Sequence, residues 1–182
     1  MTASPAPPQR AQVSYLPGSW LGFAADDVML LAEMSASAPL AIACWDRITQ
    51  GGGVDGVLGV IAQVGLRAVP NFALSGAGSD GDTRLVVTGK AQAEVVHRGQ
   101  PEPTIISAAE STTWHEQRLA GRPAIRLFAE AGDVVEAAAL PLLGGIVRAS
   151  ALAVGVLGGR PRGTKAHPPV DVSCSTNPCS DG

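Results

Sequence analysis

The only side chains for imidazole chemistry are His97, His115 and His167, and their settings limit what the chain can do. His115-Glu116 begins like the H-E-x-x-H zinc helix, but no second histidine follows. Thr112, Thr113 and Trp114 favour a strand there, which places His115 and Glu116 on opposite faces and reads as a surface histidine. A Ser/His/Asp set would have to recruit His97 from a hairpin end or His115 from mid-strand, and no spacing asks for either. Asp26-Asp27 and Asp80 with Asp82 pair carboxylates, yet at turn positions, where Asp is favoured for backbone hydrogen bonding alone.

Two glycine runs match G-x-G-x-x-G. Gly76 to Gly81 precedes a strand-like stretch rather than the helix whose N-terminus meets a pyrophosphate, and Gly51 to Gly56 follows a helix rather than a strand. Both read as linkers. No G-x-S-x-G elbow occurs, and Gly163-Thr164-Lys165 lacks the order of a phosphate loop. Cys174 and Cys179 are one pair without the second that a tetrahedral zinc site needs. No catalytic, cofactor-binding or metal-binding residue is therefore assigned, and the chain reads as non-enzymatic, with no cofactor.

The elements that must carry these residues follow from periodicity. Gln12 to Leu16, Trp20 to Ala24 and Val28 to Glu33 read as three short strands, divided by Pro17-Gly18 and Asp26-Asp27. Ser37 can cap a helix with Pro39 in its first turn and Leu40, Cys44 and Ile48 on one face beside Trp45. Val54, Val57, Leu58, Ile61 and Ala62 mark a second helix that Gly65 is placed to end, so the two form a helical hairpin. The period then changes to two. Strands are expected at Phe72 to Ser75, Thr83 to Thr88, Ala91 to His97, Thr104 to Ser107, Thr112 to Leu119 and Ala124 to Ala129, with one or two more within Ile146 to Val156. Gly89-Lys90 and Ala120 to Pro123 read as joints between neighbouring antiparallel strands. The expected fold is α+β, a largely antiparallel sheet of short strands with one helical hairpin packed on a face. Trp20, Trp45 and Trp114 each fall on an element expected to face the core.

A chain of 182 residues with 46% hydrophobic residues suits one domain with a full core. The net charge of -3, with 13 scattered Lys and Arg, leaves no basic footprint for nucleic acid; the one small cluster is Arg160, Arg162 and Lys165. The apolar stretch Leu140 to Leu157 is interrupted by Pro141, Gly144 and Gly145 and would place Arg148 mid-bilayer, so no membrane span is read there. Met1 to Ala11 has neither the basic start nor the apolar centre of a signal peptide, which places the protein in the cytoplasm. Cys44 reads as a small buried thiol. The expected layout is a disordered tail over residues 1–11, a single domain over 12–157 and a disordered linker-like tail over 158–182.

Several stretches together resemble the N-terminal module that precedes the forkhead-associated (FHA) domain in some actinobacterial proteins. They are Ser14 to Trp20, Gly65 to Leu74, Thr112 to Glu116, Leu140-Pro141-Leu142 and Gly145 to Ala149, spread over about residues 13 to 152. The resemblance implies a cytoplasmic accessory domain in phosphorylation-linked signalling, with an unidentified protein partner. It does not carry over phosphothreonine binding. The residues after Gly159 are too few for an FHA domain, and Gly159-Arg160 and Thr164 to His167 echo its Gly-Arg and Ser-x-x-His elements at too short a spacing. Some relatives carry a zinc ribbon there, of which Cys174 and Cys179 are a candidate remnant. Two other classes stay open. One is a small-molecule-binding protein or hydrolase with a pocket between the helix hairpin and the sheet, using His115, Glu116 and Asp82. The other is a homo-oligomer that pairs Leu140 to Val156 between chains as edge strands.

Overall fold

Asp26 and Asp27 reverse the chain between β1 (Val13–Ala25) and β2 (Val28–Ala32), the first hairpin of the sheet. The computed structural model describes residues 12–78, 80–100, 102–108, 111, 113–129 and 138–155. The tails read from the sequence over 1–11 and 158–182 lie outside these residues, as do the FHA-like echoes and Cys174 and Cys179. After β2 come the helices α1 (Pro39–Thr49) and α2 (Gly53–Gln63). The strands β3 (Phe72–Ala77), β4 (Thr83–Thr88), β5 (Ala91–Val96), β6 (Thr104–Ser107), β7 (His115–Leu119), β8 (Ala124–Ala129), β9 (Leu140–Leu142) and β10 (Gly145–Val154) follow.

Among the described residues all strand pairs are antiparallel, in the order β6-β5-β8-β10-β1-β2-β3-β4-β7, with β9 paired to the start of β1. The result is mostly antiparallel sheet with two helices, as the α+β expectation holds. The sheet bends over on itself into a nearly closed barrel, so that Leu31, Leu85 and Val87 on one side share a core with Ala93, Leu127 and Leu152 on the other. A second core lies on the opposite face of β1 to β4, where Phe23, Leu30, Leu74 and Val86 cluster with Cys44, Val57 and Ile61 of the helices. Every residue of β2 is buried, because both faces of that strand are covered. The unbroken apolar run Val28 to Ala32 is the sequence consequence.

Three expectations about joints are corrected. Pro17-Gly18 does not divide two strands; it is an irregularity within β1, where the register against β10 shifts. Pro17 lacks an N–H for the ladder, Ser150 Oγ donates to its carbonyl at 3.0 Å, and Gly18 lies so close that an added Cβ would come within 2.3 Å of the Ser150 nitrogen. Gly89-Lys90 links β4 to β5, but these strands do not pair: β4 lies between β3 and β7, β5 between β8 and β6. Ala120 to Pro123 likewise carries the chain from β7 to β8, which are not neighbours. Both joints turn out of the sheet and cross to the facing layer.

Smaller differences have local causes. Ala38, not Ser37, caps α1 and offers no side-chain bond, while the Ser37 hydroxyl meets that of Ser35 at 2.9 Å. Pro39 occupies the first turn as expected. β7 starts at His115, and the Thr113 carbonyl before it is taken by the Thr88 hydroxyl at 2.6 Å; Thr112, the expected first residue of this strand, lies outside the described residues. Trp20 is buried between the layers, whereas Trp45 and Trp114 are half-buried against the helix-side core. Leu140 to Val156 is not a free pairing edge as a whole, because β10 is flanked by β8 and β1.

Candidate functional site

His115, Glu116 and Asp82 do not converge. His115 is exposed and lies opposite Val87, while Asp82 precedes Thr83 at the other end of β4, five residues or about 16 Å away at ~3.3 Å per residue. Glu116 accepts from Arg84 Nε at 3.0 Å and Nη2 at 2.7 Å, and Arg84 also donates to Asp55 of α2. These two carboxylates raise the Arg84 pKa above its ordinary value through hydrogen bonding first and charge second. Asp82 accepts the Gly121 N–H at 3.1 Å, and Asp80 Oδ1 accepts the Asp82 N–H while Oδ2 pairs with Arg118 at 2.7 Å. The acidic turn residues thus serve the turns.

The run Gly76 to Gly81 leads into β4, and Gly51 to Gly53 link α1 to α2, so neither opens a strand-to-helix anion site. Gly76 lies tight beneath α2: a Cβ there would come within 2.8 Å of Val54 Cγ2. Cys44 is fully buried, and desolvation pushes its thiol up to about 11. Among the described residues no group of three His, Cys, Asp or Glu side chains is placed to hold a metal.

Two features do stand out. The first is the pair of sheet edges. Among the described residues β7 pairs only with β4 and β6 only with β5. The β7 edge exposes His115, Glu116, Gln117 and Arg118, the charged cover that discourages strand addition. The β6 edge, Thr104 to Ser107, has no charged side chain, and its Ile105 is 53% exposed.

The second is a cavity of about 730 Å³ at one open end of the folded sheet, between its two layers. Met29, Ser75 and Thr83 line it from one layer, and Val96, Ile125 and Val154 from the other. Further into the sheet the same space is filled by large side chains such as Trp20, Leu31 and Leu127. At this end the inward positions carry Ser75 and Ala77, too small to fill it. Ser75 is 3% exposed and makes no side-chain hydrogen bond to a described residue, whereas the neighbouring Thr83 hydroxyl donates to the Gly121 carbonyl at 2.7 Å. The Ser75 hydroxyl opens onto the cavity and stays accessible to solvent there; a ligand that covered it would have to offer a hydrogen bond in place of water, because a hydroxyl shut off without a partner costs ~1–3 kcal/mol.

Charge gathers at the rim. Arg122 from the β7–β8 joint grips Asp27 of the β1–β2 turn through two bonds of 3.0 and 3.2 Å, closing one side. His97 and Arg98, just beyond β5, line another side, and Arg98 has no carboxylate partner among the described residues. Sequence reasoning missed this site because its residues come from seven separate segments. The one local signal is Ser75, a hydroxyl at the inward position of an otherwise apolar strand.

Comparison with protein families, with curated proteins and with solved structures gives no match to this chain. Among the described residues no helix is long and apolar enough to cross a membrane.

Proposed function

We propose that this chain is a non-enzymatic, cytoplasmic accessory module that binds a protein partner by adding a strand to the β6 edge. The observation that carries the reading is the contrast between the two edges: β7 is covered by charge, while β6 offers an uncharged ladder flanked by an exposed Ile105. An extended peptide on such an edge gains main-chain hydrogen bonds for affinity and a side-chain contact, here Ile105, for selectivity. In this reading the two helices form a hairpin that covers the far face of β1 to β4. The resemblance to the module that precedes FHA domains supplies the setting, a phosphorylation-linked signalling protein. Nucleic acid and membrane are not partners in it.

The test is affinity capture with the wild-type chain and an Ile105→Lys variant, each before and after phosphatase treatment, combined with amide hydrogen exchange on the complex. A partner held by the wild type and lost with Ile105→Lys, with β6 amides newly protected, is the expected result. Capture indifferent to Ile105→Lys, with protection elsewhere, overturns the edge. Capture insensitive to phosphatase removes the link to phosphorylation.

A further inference from the structure

We infer that the cavity between the sheet layers is a binding site for a small amphipathic carboxylate, distinct from the β6 edge. Three observations point to this class. The volume of about 730 Å³ falls within the ~300–1,000 Å³ of small-molecule pockets, which favour the mouths of β-barrels. Its walls are largely apolar, with Met29, Val96, Ile125 and Val154 suited to a hydrocarbon body. Its polar groups lie at two levels: deeper in, the Ser75 hydroxyl, which opens onto the cavity and has no hydrogen-bond partner among the described residues, and at the rim the exposed Arg98 with His97, Asp26 and the Arg122–Asp27 pair.

Those two levels set the ligand's polarity. An apolar molecule filling the cavity would shut the Ser75 hydroxyl off from solvent and leave it unsatisfied, so the body carries a hydroxyl or carbonyl at that depth. Of the two arginines at the mouth, Arg122 is engaged by Asp27, and Arg98 remains to receive an anion. A guanidinium meets a carboxylate through two parallel N–H donors, which single out a carboxylate head over a neutral alcohol. Asp26 and Asp27 at the same mouth disfavour a second negative charge, so the ligand carries one.

The test uses the full chain and named probes. Saturable fluorescence enhancement of 8-anilinonaphthalene-1-sulfonate is measured first, then its displacement by 10-hydroxydecanoate, decanoate and 1-decanol. The expected order is 10-hydroxydecanoate first, decanoate next and 1-decanol weakest. Arg98→Gln should weaken the two carboxylates about tenfold, the loss of one charge-assisted contact, and leave 1-decanol unchanged. Ser75→Ala should erase the advantage of 10-hydroxydecanoate over decanoate. Ala77→Leu, a half-exposed rim position, should block all three by filling the space, and Ile105→Lys should block none, separating this site from the edge. Failure of the probe to saturate overturns the site. Equal displacement by decanoate and 1-decanol overturns the carboxylate class, and binding indifferent to both Ala77→Leu and Arg98→Gln places the probe elsewhere and overturns the assignment.

Discussion

Asn71 Oδ1 accepts the Lys90 N–H at 3.2 Å, and Gly89 sits so close to it that an added Cβ would come within 1.7 Å of that oxygen. Gly89 also has a positive φ of 59°, and Asn71 donates its amide to Glu33. The joint that carries the chain from one layer to the other is thus tied to the end of β2 through one side chain.

Gly89→Ala should therefore cost at least ~1–2 kcal/mol, from left-handed backbone strain and displacement of Asn71. Asn71→Ala should cost ~1 kcal/mol through the lost bonds. Since both act on one contact, urea unfolding of the double variant should show less than the sum. Fully additive costs would mean that the two residues do not share a contact.

Trp20 and Trp45 should respond unequally to truncation. Trp20 is 7% exposed between the layers and should cost ~3–5 kcal/mol as Trp20→Ala, whereas half-buried Trp45 should cost less. Equal shifts in the thermal midpoint would contradict the division into an inter-layer core and a helix-side core.

Cys44 should be silent toward a thiol reagent such as Ellman's in the folded protein and react on unfolding. Its thiol is held at about 11 against an ordinary 9.0. The folded state keeps the proton after the unfolded chain has lost it, so this contribution is complete below pH ~9 and is lost as pH rises toward 11. The loss amounts to about 2–3 kcal/mol, and Cys44→Ala should remove that part of the alkaline slope. An identical slope in the variant would place the titration elsewhere.

Arg84 joins α2, β4 and β7 through Asp55 and Glu116, but both carboxylates are well exposed. Asp55→Asn or Glu116→Gln should each cost less than ~1 kcal/mol, and the cost should shrink in high salt. A cost independent of salt would show that packing rather than charge is responsible.

The parts of the fold legible in the sequence are those whose signal is local. β4, β6 and β8 fall on the expected residues because turn residues bound each of them, and α2 shows its buried face as Val54, Val57 and Ile61. The continuity of β1 through Pro17-Gly18 and the start of β7 were not legible, since Pro17-Gly18 and Thr113 are shaped by contacts with Ser150 and Thr88, far away in sequence. The candidate catalytic trio His115, Glu116 and Asp82 failed for a similar reason: chemistry-bearing residue types carry no record of which ends of a strand they occupy.

Sequence by itself determined the class of fold and the places of most of its elements, because hydrophobic period and turn chemistry act over a few residues. It could not decide whether β4 and β5 lie side by side or face to face. A two-residue joint permits either, and β4 is apolar on both faces, with Leu85 and Val87 on one and Val86 on the other. A hairpin would have aligned Leu85 and Val87 with the polar Gln92 and Glu94 of β5; crossing to the opposite layer puts them with Ala91, Ala93 and Val95 instead, all buried. Only that long-range burial choice folds the sheet over, and with it creates the cavity around Ser75 and the uncharged β6 edge.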